Sequence, residues 1–260
     1  MQAIAKEMNQ SETAFLSHSK IAHFRARYFT PEREIPLAGH PTLAAVHAAI
    51  LNGIISIPTD ITDVSIELND GPIRVQIQKT PEGSLIRMFQ RKPIFDTIHD
   101  PDIVLPIFNL SRDDLMPQAI IQTVSTGTRQ LLVPLKDHAA LNKIQMNPEL
   151  YRAYRAEKQF FSPHFFCLGG IHSDAATFAR HPGVPPDTSE DAFTGSATGG
   201  MAAFLWKYGF LSEPKFIAEQ GHWMNRPGRA WVEIEGSREN IETVSVAGFA
   251  VSVVSGTLTI

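Results

Sequence analysis

The chain has 260 residues, 43% of them hydrophobic and 19% charged, and 23 basic against 27 acidic side chains give a net charge of −4. That is enough apolar material for one large or two modest domains, and it offers no basic field for nucleic acid or an anionic membrane. No apolar run approaches the roughly 18 residues of a membrane span. Lys6 and Glu7 speak against a secretory signal at the start, and the lone Cys167 excludes an intrachain disulfide framework. The expectation is a soluble, cytoplasmic globular protein.

Residues 1 to 8 read as the last turns of a helix, with Ile4 and Met8 on one face and Asn9 suited to a left-handed end. Thr13 to Leu16 and Phe24 to Phe29 are short extended runs, and Thr30 to Glu34 is a polar turn. Pro41 fits the first turn of a helix over Thr42 to Leu51, closed by Asn52-Gly53. The period then changes to two: Val64 to Leu68, Ile73 to Ile77 and Leu85 to Phe89 are strands parted by turn residues. Lys92 to Pro106, with Pro93, Pro101 and Pro106, reads as the connector between a first half, 1–105, and a second, 106–260, whose last strand returns to the first. Ser111 begins a short helix, Ile120 to Pro134 holds strands around Ser125-Thr126-Gly127, and Asp137 to Gln159 reads as helical. Phe165 to Ile171 is a strand that contains Cys167. The segment from His181 to Glu190 reads as loop, Thr198 to Tyr208 as a helix closed by Gly209, and the tail alternates through Val244, Val246, Val251 and Val253.

An internal repeat organises these elements. Glu34, Gly39, Thr42 and the closing Gly53 recur 156 residues later as Glu190, Gly195, Thr198 and Gly209. The fold class expected is therefore α+β, two homologous halves, each a sheet curled around one glycine-entered helix, facing each other across a cleft. Both helix starts, Ala38-Gly39-His40-Pro41 and Thr194-Gly195-Ser196-Ala197, would present backbone N–H groups suited to a carboxylate or phosphate. The same offset aligns His40 with Ser196. Read singly, each polar residue has a plain alternative: Ser196 as a helix cap, His40 as a packed side chain, Asp191 and Glu12 as solvated loop carboxylates.

Familiar motifs for other chemistries are missing: there is no phosphate-binding P-loop, dinucleotide fingerprint, nucleophile elbow or H-E-x-x-H. The ten histidines lie apart in sequence. His40 and His47, two helical turns apart, are too distant to share an ion unaided, so no metal site is expected.

Ser11-Glu12-Thr13, Ala38-Gly39-His40-Pro41-Thr42, Ser125-Thr126-Gly127, Glu190-Asp191 with Thr194-Gly195-Ser196-Ala197, and Gln220-Gly221-His222 with Arg226-Pro227-Gly228-Arg229 occur in this order. The set resembles the phenazine-biosynthesis isomerase (PhzF-like) family along nearly the whole chain. The resemblance implies the diaminopimelate-epimerase-like fold, with a barrel-like sheet around a central helix in each half. It also implies cofactor-independent and metal-independent proton transfer, of a biosynthetic kind, on a small carboxylated substrate, and it is consistent with a homodimer. Glu12 corresponds to the acid/base glutamate, and His40, Asp191 and Ser196 to its other catalytic-site residues. Gly39, Thr126, Gly127, Gly195 and Ala197 fall in the motifs expected to bind substrate. Related epimerases of this fold use two thiols, which a chain with one cysteine lacks.

The chain departs from the family pattern in two places. The family has a strand and an Asn-Pro loop before the first helix, so an incomplete first sheet or an upstream segment outside this sequence is expected. The residue after Asp191 is Ala192 where proline is usual. Two other readings stand beside the isomerase: a non-catalytic small-anion-binding or regulatory protein on the same fold, and acyl chemistry through Ser196.

Overall fold

The computed structural model describes residues 1–184 and 189–258. Contacts divide it into two units, Met1–Phe89 joined by the chain from Ala247 onward, and Gln90–Val246. Among the described residues no helix is long and apolar enough to cross a membrane.

The first unit contains α1 (Gln2–Met8), β1 (Thr13–Ser17), β2 (Phe24–Phe29), β3 (Glu34–Ile35), α2 (Gly39–Leu51), β4 (Ile61–Leu68), β5 (Gly71–Thr80) and β6 (Gly83–Phe89). Its strands run β1-β2-β4-β5-β6, with β3 attached to β2. The β2–β4 pairing is parallel and the others are antiparallel. Alternation decides which face is buried: Phe24, Ala26 and Tyr28 turn inward, and Arg25 and Arg27 outward. The inward residues meet Ala45, Val46 and Ala49 of α2 in one core with Ile66, Val75, Ile77 and Ile86. Asn9, at φ 49°, ends α1 in the left-handed conformation that asparagine tolerates.

The second unit opens with β7 (Ile94–His99), α3 (Pro101–Ile107) and a 3-10 turn at Arg112–Asp114, followed by β8 (Ile121–Ser125), β9 (Arg129–Pro134), α4 (His138–Asn142) and α5 (Pro148–Lys158). Then come β10 (Ser162–Leu168), β11 (Thr177–Pro182), β12 (Glu190–Asp191), α6 (Gly195–Lys207), β13 (Lys215–Gln220), a 3-10 turn at His222–Met224, β14 (Gly228–Gly236) and β15 (Ile241–Gly248), whose last two residues are counted with the first unit. The strand order is β15-β14-β13-β11-β10-β9-β8-β7, with β12 on β11. One core surrounds α6, where Met201, Phe204 and Leu205 meet Phe166, Ala179, Ala218 and Val244. A second gathers Phe108, Tyr151, Phe160 and Phe165.

Several expectations change. The segment from Lys92 to Pro106 is β7 and α3, not a connector, because its prolines stand where proline is tolerated. Pro93 precedes the strand, Pro101 opens the helix and Pro106 lies in its last turn. Since β7 pairs with β8, the division falls after Phe89 and not at 105/106. Asp137 to Gln159 is two helices, parted at Asn147, whose side chain accepts from the amides of Glu149 and Leu150 to start α5. His181 and Glu190 lie in strands, as the bridges of β11 with β12 show, and residues 185–188 of the expected loop lie outside the described residues. Val251 and Val253 are exposed and outside any strand despite their alternation. Among the described residues β1 pairs with a strand, β2, on one side only.

The repeat runs deeper than four matched letters. β3 and β12, and α2 and α6, have the same lengths at the 156-residue offset. Arg27 grips Glu34 through two nitrogens at 2.8 and 2.7 Å, and Arg180 grips Glu190 at 3.0 and 2.7 Å. Thr42 donates to the Ala38 carbonyl at 2.6 Å and Thr198 to the Thr194 carbonyl at 3.0 Å. Gln159 ends α5 at φ 56°, as Asn9 ends α1. β1-β2-β4-β5 and β10-β11-β13-β14 follow the same order, each with one parallel pairing in the middle.

His99 makes the stability of the second unit depend on pH. It is buried between the Tyr154 hydroxyl (2.6 Å) and Thr123 Oγ1 (2.8 Å). Burial, with the positive charge of Lys158 adding to it, pushes the imidazole down to about 4. The unfolded chain takes up this proton near its ordinary pKa of about 6.5 and the folded chain only near 4, so the contribution is full above 6.5 and is lost as pH falls toward 4. Urea midpoints between about pH 6.5 and 5, above the ordinary carboxylate range, should therefore fall less steeply in His99→Gln than in the wild type. Parallel slopes would remove His99 from the account.

Candidate active site

In the first unit, α1 ends at Asn9 and the chain turns through Ser11 and Glu12 into β1, bringing Glu12 to the start of α2. Glu12 Oε2 lies 3.1 Å from Nε2 of His40, the second residue of that helix, and Ser11 Oγ lies 3.4 Å from the same nitrogen. The Glu12 side chain is 20% exposed and Thr13 to Leu16 are half-buried, but Oε2 itself is shielded from solvent and makes no hydrogen bond. Gly39 is the first residue of α2, behind Ala38, whose methyl group in the cap position cannot accept from the helix amides.

In the second unit, α6 also starts without a side-chain cap. Thr194 occupies the cap position, but its hydroxyl donates to Asp191 Oδ2 at 2.6 Å instead of accepting from the helix. Gln220 completes the turn: its Oε1 accepts from the Thr194 amide at 3.2 Å, and its Nε2 donates to the Asp191 carbonyl at 2.8 Å. Asp191 is thus a strand residue, paired with His181 across β11 and β12, and not a loop carboxylate. Gly221 follows at φ 84°, and a Cβ there would run into the Ala192 and Arg226 carbonyls. Ser196 stands inside the helix, so it is not the cap; Gly195 precedes it, and Ala197 is buried and can offer only its backbone outward.

A buried hydrogen-bond chain sets the direction of the Ser196 hydroxyl. Gln130 Nε2 donates to Ser196 Oγ at 3.4 Å, and Gln130 Oε1 accepts the Ser162 proton at 2.8 Å. With its one proton committed, Ser162 accepts from His181 Nε2 at 2.7 Å. His181 Nδ1 lies 3.1 Å from His164 Nδ1. His164 ends the chain with a buried, unpartnered Nε2, and burial, then the neighbouring His181, pushes it well below the usual range and keeps it neutral. Ser196 therefore accepts from the protein and keeps its own proton to donate.

Thr126 and Gly127 form the hairpin between β8 and β9, with Gly127 at φ 135°. Thr126 Oγ1 donates to Gln90 Oε1 and to the Ser196 carbonyl, while Gln90 Nε2 donates to the Gly195 carbonyl at 2.8 Å. Gln130, Ser162, His164 and His181 lie in largely apolar strands and Gln90 just past the end of β6, and polar residues so placed carry no motif. Gln220 and Thr194 lay within quoted motifs but had no role assigned. Cys167 is buried, and burial pushes its thiol up to about 12, far from a thiolate nucleophile.

A sheet around a glycine-entered helix, built twice in one chain, defines the diaminopimelate-epimerase-like fold class. Within it, the chain belongs to the phenazine biosynthesis-like (PhzC-PhzF) family, whose model matches residues 1–256. It is 32% identical to an uncharacterized isomerase of Clostridium acetobutylicum, over 97% of this chain and 85% of that one. It is 29% identical to the trans-2,3-dihydro-3-hydroxyanthranilate isomerase of Pseudomonas aeruginosa, over 95% of this chain and 84% of the relative. The crystal structure of the PhzF-family phenazine biosynthesis protein of Bacillus anthracis superposes with a TM-score of 0.84 at 28% identity, covering 96% of this chain and 85% of the other.

Two adjacent glycines of α6 test how the helix start is held. A methyl group at Gly199 would strike the hydrogen-bonded Gln90 amide, whereas one at Gly200 finds Val124 atoms no nearer than 3.8 Å. Gly199→Ala should destabilise by about 1–3 kcal/mol. Gly200→Ala should be neutral or gain up to about 1 kcal/mol of helix propensity. Equal urea midpoints for the two variants would contradict this packing.

Proposed function

We propose that this PhzF-type isomerase moves a proton between carbons of a small carboxylated metabolite, with Glu12 as the group that takes and returns it. The observation carrying the reading is Glu12 Oε2 at 3.1 Å from His40 Nε2 at the uncapped start of α2. The family adds support, since its Pseudomonas aeruginosa member is named for the isomerisation of a dihydro-hydroxyanthranilate, itself a small carboxylate.

The chemistry balances within the substrate. Glu12 removes a proton from carbon, the C–H pair forms a new double bond to the neighbouring carbon, the pair of the old double bond moves to the far carbon, and the same carboxyl returns the proton there. No oxidant, reductant or cofactor enters. His40 orients the Glu12 carboxylate through Nε2. In the second unit the positive end of α6 favours an anionic group through the backbone of Gly195 and Ala197, and Ser196 donates its proton to it; in the first, the start of α2 offers the backbone of Gly39 beside the Glu12–His40 pair. Asp191 holds Thr194 in place and, with Thr126 and Gly127, completes the polar set.

Deuterium exchange in heavy water tests this, with the dihydro-hydroxyanthranilate of the Pseudomonas relative and a panel of small β,γ-unsaturated carboxylic acids. The wild type should incorporate deuterium at carbon into at least one compound. Glu12→Gln should slow that exchange by roughly 10²–10⁴ without abolishing carboxylate binding, while His40→Ala and Asp191→Asn should retain more. Undiminished exchange in Glu12→Gln would assign the proton to another group. Tight carboxylate binding with no exchange in the wild type would favour an anion-binding protein on the same fold.

A further inference from the structure

The fold gathers a histidine–carboxylate cluster that sequence spacing does not foretell. Glu219, next to Gln220 on β13, is fully buried, and its Oε2 accepts from the amides of Ile171 (2.6 Å) and His172 (3.1 Å). Its Oε1 lies 2.6 Å from His172 Nδ1 and 4.0 Å from His222 Nε2. The His222 side chain is only 11% exposed, and both its ring nitrogens are buried without a hydrogen-bond partner. A buried imidazole unsatisfied on both sides calls for a partner other than the protein: an ordered water or an ion.

The donor set favours the ion. Two imidazoles and one carboxylate are the ligands of three-coordinate protein zinc sites that keep a fourth position open. The three ligand atoms already lie within 4.8 Å of one another. With zinc–ligand bonds of about 2.0–2.1 Å, tetrahedral ligands stand roughly 3.3 Å apart, and the observed 2.6 and 4.0 Å bracket that spacing. The more exposed His172 has room to draw back. The two amides on Oε2 give the carboxylate the outer support that metal ligands need.

Arg229 opposes the ion, with Nε 3.3 Å from Glu219 Oε1, but its Nη2 is held on Asp174 at 2.6 Å. With Asp174 counted, the two carboxylates and one guanidinium leave one negative charge to receive the cation. We propose that His172, Glu219 and His222 form a binding site for zinc or a similar divalent transition ion, its fourth position open beside the exposed His172. The ion would tie the turn at residues 169–172 to the end of β13, the strand whose Gln220 holds Thr194 at the start of α6.

Cobalt(II) and zinc(II) titrations of untagged, chelator-treated full-length protein at neutral pH test the site. The wild type should bind a single equivalent of cobalt with the visible absorption of a four-coordinate ion, and zinc should displace it and raise the melting temperature. His172→Ala, which removes an exposed side chain, and His222→Ala should each weaken binding at least about tenfold and cancel the zinc-induced shift. Arg229→Gln should tighten binding, and His18→Ala, at an exposed position in the first unit, should leave it unchanged. Absence of the cobalt spectrum and the zinc shift in the wild type, or wild-type affinity in both ligand variants, would overturn the site and leave a water as the partner of His222.

Discussion

The first N–H groups of a helix have no partner within the helix, and at the start of α6 the cap residue's side chain supplies none. Ten of the thirteen residues of α6 are buried, and at its start the one hydroxyl that could cap it is turned away to Asp191. The first N–H groups of such a helix keep about half a positive charge. The surrounding residues serve this arrangement. Gly199 admits the Gln90 amide against the helix, the Thr198 hydroxyl satisfies the Thr194 carbonyl, and Gln220 pins the turn before the first residue. α2 solves the same problem with Ala38 in the cap position and Thr42 bonded back to it.

The Arg27–Glu34 and Arg180–Glu190 pairs explain how two such helices arise in one chain. Each is a two-pronged contact that anchors a two-residue strand just before its helix. The chemistry laid over the two copies has diverged. The position after the glycine is His40 in one copy, paired with a carboxylate, and Ser196 in the other, fed by an amide that is backed by a pair of buried histidines.

The residues legible in sequence were those whose roles tie them to a fixed spacing. Glu34 and Glu190 reach their arginines, Gly39 and Gly195 open helices, and Gly53 and Gly209, at φ 67° and 77°, close them. Length and periodicity found the strands flanking α2, but they missed β7 and α3, where prolines at element ends looked like a linker. They also passed over β13 and β14, whose region was read for motifs and not for alternation. Val251 and Val253 show the converse, since alternation makes a strand only where another strand accepts its hydrogen bonds. The buried polar chain behind Ser196, and the meeting of His172 with His222 across fifty residues, depend on strand order, which no local pattern encodes.

The central claim is that the start of α6, which carries Ser196, receives the carboxylate of the substrate. Amide chemical shifts of the protein during titration with benzoate test it most directly. The account predicts saturable shifts at Gly195 and Ser196, with weaker binding in Ser196→Ala. Saturable binding that leaves those two amides unmoved would contradict it.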